Sequence, residues 1–131
     1  MNEALVGIVL VSHSSELARG LAALVSQVAG PEVRIEVAGG GPEGTLGTSG
    51  DAVREAIGRA DGGQGAVVLA DLGSSVLTVK LLLEDHGNGH VRLADAPFVE
   101  GAVAAAVTSS MGQPLDAVVH AAEEAWDARK L

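Results

Sequence analysis

The chain contains no cysteine, which excludes disulfides, thiolate catalysis and cysteine-ligated metal sites. Aromatic residues are almost as scarce. Phe98 and Trp126 are the only two, so platforms for stacking bases or sugars are poorly supplied. Positive charge is short as well: 8 Lys and Arg stand against 17 Asp and Glu, for a formal net charge of −9. Repulsion from phosphate backbones therefore argues against nucleic acid as a partner, whereas an acidic surface favours basic protein partners. No apolar run approaches the ~20 residues that cross a bilayer, and the N-terminus lacks a basic start followed by a small-residue cleavage site. The expectation is a soluble cytoplasmic protein with no membrane contact, and no cofactor is implied.

What is present describes one ordered domain over residues 1–131. Hydrophobic residues make up 47% of the chain and charged ones 19%, enough apolar surface for a core of roughly two-thirds of the unfolded area. Strand and helix patterns alternate. Ala4–Val11 is an apolar, β-branched run of the kind that forms a buried parallel strand. Leu17, Leu21, Leu24, Val25 and Val28 then recur at helical spacing, with Ser14 or Ser15 as the N-cap. Val33–Ala38 predicts a second strand, Asp51–Arg59 a second helix, and Gly65–Ala70 a third strand leading into a helix to about Asp85. Val91–Ala94 reads as a short strand, Pro97 opens a fourth helix, and a last helix runs from near Pro114 to about Arg129. In that last helix Leu115, Val118, Val119, Ala122 and Trp126 would face inward. Successive βα units predict a single three-layer α/β domain, a mostly parallel sheet of flavodoxin-like 2-1-3-4 order with helices on both faces. Between Ser75 and Leu83, apolar Val76, Leu77, Val79, Leu81, Leu82 and Leu83 surround nearly the whole helix. Such a helix is buried on more than one side, within the chain or in a homodimer.

The chemistry-bearing residues fall at strand ends. His13 follows the first strand and precedes a helix N-terminus, where α/β sheets bind ligands and helix amides attract phosphate. Ser12, Ser14 and Ser15 flank it with hydroxyl and backbone donors. Asp71 ends the third strand. With strands one and three adjacent, the two residues face each other, and a carboxylate on Nδ1–H fixes the tautomer and leaves Nε2 as the nucleophile. Gly73, Ser74 and Ser75 open the next helix and offer donors for phosphoryl oxygens. The bland alternatives are a strand-end histidine bonding a carbonyl, a solvated Asp71 and a serine N-cap.

Other motifs count for less. The glycine-rich stretch from Gly39-Gly40-Gly41-Pro42-Glu43-Gly44 to Gly47-Thr48-Ser49-Gly50 lacks a P-loop ending and the dinucleotide fingerprint. It reads as a rim loop beside the site, with Gly40, Thr48 and Ser49 on it. Gly47–Gly50 is one residue short of a nucleophile elbow, which leaves little room for a serine hydrolase. His86 and His90 have a zinc-compatible spacing, but the glycines between them make a loop and not a metal site. His120 should lie half-exposed at the edge of the last apolar stripe.

Taken together, Ser12-His13-Ser14-Ser15 after a strand, Gly39-Gly40 with Gly47-Thr48-Ser49, Val67 to Ser75, and Ala96-Pro97-Phe98-Val99-Glu100-Gly101-Ala102 resemble one family over nearly the full chain. It is the mannose-type IIA family of the bacterial phosphoenolpyruvate-dependent phosphotransferase system, and the pattern is most similar to its DhaM branch. These are the phosphoryl-carrier subunits of phosphoenolpyruvate-dependent dihydroxyacetone kinase (a phosphoenolpyruvate-glycerone phosphotransferase). The resemblance implies that His13 accepts a phosphoryl group through Nε2 from the phosphocarrier protein HPr, that Asp71 orients the ring, and that Ser74 or Ser75 holds phosphoryl oxygens. In that branch the group passes to ADP on DhaL, and the ATP formed phosphorylates dihydroxyacetone bound to DhaK. Some members continue into HPr-like and Enzyme I-like parts; ending at Leu131, this chain is expected to draw on separate HPr and Enzyme I. The sugar-transport branch tends to carry an aromatic and paired glycines after the aspartate, where Leu72-Gly73-Ser74 stands here. Alternatives are a IIA module feeding a IIB protein of a mannose-class transporter, a hydrolase or isomerase with His13 as base, and a non-catalytic sensor.

Overall fold

In a computed structural model, which describes residues 4–41, 47–86 and 89–131, four parallel strands form one sheet in the order β2-β1-β3-β4. The strands are β1 (Gly7–Ser12), β2 (Ile35–Gly39), β3 (Ala66–Ala70) and β4 (Val91–Leu93). Between and after them lie α1 (Ser15–Ala29), α2 (Gly50–Ala60), α3 (Gly73–His86), α4 (Phe98–Ser110) and α5 (Leu115–Glu124). The expected α/β class and strand order are therefore observed.

Every residue of β1 and β3 is buried, as inner strands covered on both faces must be. Strand alternation divides their side chains between two cores. Ile8, Leu10, Val67 and Leu69 pack with α1, α4 and α5, whereas Val9, Val11, Val68 and Ala70 pack with α2 and α3. Small residues let the layers approach closely. At Gly7 an added Cβ would lie 2.2 Å from the Ala60 carbonyl oxygen, and at Gly39 it would lie 2.7 Å from Ser15 Cα. Ser14 caps α1 by accepting the Leu17 N–H, and Ser49 caps α2 by accepting that of Ala52, each satisfying a donor that the first turn leaves open.

Several expectations shift. The second strand begins at Ile35 and ends at Gly39, although Val33 is buried as a core residue. The last helix stops at Glu124 and tightens into a 3₁₀ turn over Ala125–Asp127. Trp126 consequently does not face inward: it is 60% exposed, and its indole N–H donates to the Asp95 carbonyl at 3.0 Å. An indole lying on the surface with its polar edge bonded is a common compromise for this residue. On α3, Val79 is buried and Val76, Leu82 and Leu83 pack partly against the sheet, but Leu77 and Leu81 are more than half exposed. Among the described residues, none covers those two side chains. His120 is exposed rather than half-buried and pairs with Glu124 one turn on at 2.8 Å. Pro42, Glu43 and Gly44 of the glycine-rich stretch, and Gly87 and Asn88 between the two histidines, lie outside the described residues.

Candidate functional site

The register of β1 against β3 pairs Val11 with Ala70, so the next residues of both strands leave the sheet side by side. One strand delivers Ser12 and His13, the other Asp71. The Asp71 N–H donates to the Val11 carbonyl at 3.1 Å, extending the ladder by one bond. The site thus stands at the carboxyl edge of the two central strands, between the starts of α1 and α3.

Asp71 is the centre of the hydrogen bonding. Its Oδ2 accepts from the Ser12 hydroxyl at 2.8 Å and from the His13 backbone N–H at 3.1 Å. Its Oδ1 accepts from the Leu72 N–H at 2.7 Å and lies 3.0 Å from His13 Nδ1. Burial pushes the carboxyl pKa up, but bonds from the His13 amide, the His13 ring, Ser12 and Ser75 outweigh it and leave the group below the usual value. The carboxylate is therefore ionised and can only accept. Nδ1 must carry the hydrogen that faces it, and in the neutral ring Nε2 then keeps its lone pair.

The opposite edge of the ring meets the Ser74 hydroxyl, which is in hydrogen-bond contact with Nε2 and donates to it in this tautomer. Gly73 and Ser74 are exposed at the first turn of α3, whose leading N–H groups have no acceptor inside the helix. A tetrahedral anion bonded to Nε2 would meet these donors. Ser75 differs. It is wholly buried, and its Oγ lies 3.0 Å from Nδ1 and 2.8 Å from Thr48 Oγ1, on the far side of the ring from Nε2. Of the serines read as phosphoryl-binding, Ser74 is the one whose hydroxyl faces Nε2. The Ser14 hydroxyl serves as the α1 cap, and Ser15 accepts from the Arg19 guanidinium at 3.2 Å.

The rim is anchored on the same strand end. Gly40 N–H donates to the Ser12 carbonyl, Gly47 N–H to the His13 carbonyl, and Gly40 pairs with Thr48 as an isolated parallel bridge. Ser49 belongs to the α2 cap and not to the histidine. His86 closes α3 and His90 is exposed ahead of β4. No group of three or more metal-ligating side chains converges among the described residues. Nor does any helix among them have the length and apolarity to cross a membrane.

Two contacts were not foreseen from sequence as parts of the site, namely Ser12 on Asp71 and Thr48 on Ser75. A signal existed for Ser12. It is the one polar residue closing an otherwise apolar strand, and a buried hydroxyl needs a partner.

The chain is similar to known proteins over most of its length. The family model EIIA-man, described as PTS system fructose IIA component, matches residues 7–119. The phosphoryl donor subunit DhaM of a PEP-dependent dihydroxyacetone kinase from Escherichia coli (strain K12) is 34% identical over 96% of this chain. The chain spans only 28% of that relative's length. A DhaM subunit from Listeria innocua is 35% identical over 82% of this chain and 84% of its own length. Among solved structures, a crystal structure described as unknown function protein EF1359 superposes with a TM-score of 0.81 at 34% identity, covering 92% of this chain and 94% of that one. A sigma-54 interaction domain protein from Enterococcus faecalis shares the fold alone, with a TM-score of 0.73 at 15% identity.

Proposed function

Because the chain belongs to the mannose-type IIA family of the phosphotransferase system, with DhaM subunits among its relatives, we propose that it is a phosphohistidine carrier of the DhaM kind. Residues 1–131 act as one IIA domain. The carrying residue is His13 and the acceptor atom is Nε2. The observation that supports this most directly is the division of the ring, with Nδ1–H held by an ionised Asp71 while Nε2 faces Ser74 at the surface.

Transfer proceeds by in-line displacement. The Nε2 lone pair forms a bond to phosphorus as the N–P bond of the donor's phosphohistidine breaks, and the donor imidazole keeps that electron pair. Positive charge developing on the His13 ring is balanced by Asp71. The Ser74 hydroxyl leaves Nε2 and, with the first amides of α3, takes the phosphoryl oxygens. Positioning supplies most of the effect, since phosphoryl transfer asks little covalent chemistry of the protein. In the reverse sense, a phosphate oxygen of an acceptor attacks phosphorus and the Nε2–P bond breaks.

The donor in this reading is HPr, and the acceptor is ADP held by a DhaL subunit, with DhaK presenting dihydroxyacetone. Exposed Leu17 and Leu72, in the first turn of α1 and directly after Asp71, supply apolar contact at the same sheet edge. A second copy of the chain covers Leu77 and Leu81.

The test is intact mass after incubation with phosphoenolpyruvate, Enzyme I and HPr, kept neutral to alkaline because phosphohistidine is acid-labile. One added phosphoryl group, absent in His13→Ala, is expected. Labelling that persists in His13→Ala would overturn the assignment. Addition of DhaL with ADP should then discharge the carrier; discharge by a mannose-class IIB protein alone would move it to the transport branch.

A further inference from the structure

The hydroxyl pair Thr48–Ser75 has no part in the transfer step described above, yet it touches the histidine on its non-nucleophilic side. Ser75 is fully buried in the first turn of α3. Its Oγ lies 2.8 Å from Thr48 Oγ1 and 3.0 Å from His13 Nδ1. Thr48 itself comes from the far end of the glycine-rich stretch. It is placed by its bridge to Gly40 and by the bond from the neighbouring Gly47 N–H to the His13 carbonyl.

Counting hydrogens shows what the pair does. A serine hydroxyl has one hydrogen to donate. If Thr48 donates to Ser75, the Ser75 hydrogen must turn away from Nδ1, which already carries the one facing Asp71. If Ser75 donates to Thr48, its hydrogen is used there. In both arrangements Ser75 turns a lone pair towards Nδ1, which reinforces the Nδ1–H tautomer. Without Thr48, one partner of the Ser75 hydroxyl is lost and its O–H is free to rotate towards Nδ1. That orientation opposes the Nδ1–H that Asp71 favours and raises the share of the Nε2–H tautomer, which cannot attack phosphorus.

We propose that Thr48 is a positioning residue for His13, acting through the buried Ser75 hydroxyl, so that the return of the glycine-rich stretch helps to set which ring nitrogen is nucleophilic. The proposal rests on the reading of His13 Nε2 as the phosphoryl acceptor. It gives that stretch a task other than binding a ligand, one that depends on where Thr48 sits and not on any contact with a phosphate.

The test uses full-length protein with 15N-labelled histidine, the His13 signals being assigned by their loss in His13→Gln. Thr48→Val removes the hydroxyl at constant shape, and Thr48→Ser restores it. In Thr48→Val the Nε2 signal should move from lone-pair-like towards protonated, and phosphoryl acceptance from phosphorylated HPr should slow about fivefold to tenfold, the worth of roughly one hydrogen bond. Thr48→Ser should recover both. Three results would each overturn the proposal: a Thr48→Val variant unchanged in the ring signals, a rate lost while those signals stay fixed, or a Thr48→Ser variant as impaired as Thr48→Val. Should Thr48→Val not fold, Ser75→Ala reports on the same relay, and unshifted signals there count equally against it. If the wild-type protein accepts no phosphoryl group but the ring signals respond as stated, the carrier reading fails and the relay stands.

Discussion

His13 and Asp71 meet twice. The ring Nδ1 lies 3.0 Å from Oδ1, and the backbone N–H of the same histidine donates to Oδ2 at 3.1 Å. One carboxylate therefore fixes both the chain position and the ring orientation of the residue that takes the phosphoryl group in the proposed function.

Replacing Asp71 by Asn keeps the shape and removes the charge. Acceptance from phosphorylated HPr should slow about 10- to 100-fold, the range usual for losing a partner that orients a histidine, while labelling still reaches one group per chain. Rapid-quench mass spectrometry reads the rate, and a wild-type rate would deny Asp71 its orienting role.

The same carboxyl links stability to acid. Its pKa is lower in the folded chain than in an unfolded one, so its stabilisation is fully present above about 3.9, the ordinary aspartate value. That contribution is lost as the pH falls through the depressed folded value. Denaturant midpoints measured from neutral pH downwards should fall less steeply for Asp71→Asn than for the wild type.

Ser74→Ala removes the hydroxyl that meets Nε2 but no bond to Asp71. The folded stability should change little, since the residue is exposed. Transfer should slow about tenfold through loss of a bond to a charged oxygen. Parallel melting curves and single-turnover rates would reveal whether these effects separate.

Gly7→Ala is expected to be among the more damaging single-methyl additions. The new Cβ would stand 2.2 Å from the Ala60 carbonyl oxygen, backbone that cannot swing aside, and overpacking of this kind costs about 1–3 kcal/mol or more. A wild-type urea midpoint would show that β1 and α2 can part without cost.

Self-association should depend on α3. Leu77 and Leu81 are 57% and 54% exposed, and the double substitution Leu77→Glu with Leu81→Glu should turn a dimer into a monomer in sedimentation equilibrium. A wild-type monomer at micromolar concentration removes the idea altogether.

The strand order, the helix succession and the meeting of His13 with Asp71 were legible because buried parallel strands read as apolar runs, and because both residues stand one step beyond such a run. What escaped depended on register. Ser12 bonds a residue 59 positions away and Thr48 one 27 positions away, and neither distance leaves a local pattern. Trp126 fell at a helical spacing that pointed inward, but the helix had already given way to a tighter turn. Leu77 and Leu81 fitted an apolar pattern that does not record what lies opposite it.

The 58 positions from His13 to Asp71 bear on when the site comes into being. Synthesis delivers β1, α1 and β2 first, and at about 5–20 residues per second several seconds pass before Asp71 is made. Until then the histidine has neither its carboxylate nor the α3 serines, and closing so long a loop carries an entropy cost that grows only slowly with length. Under the proposed function a nascent chain is thus a slow phosphoryl acceptor until the centre of its sheet has closed, and the rate at which it is charged reports that closure.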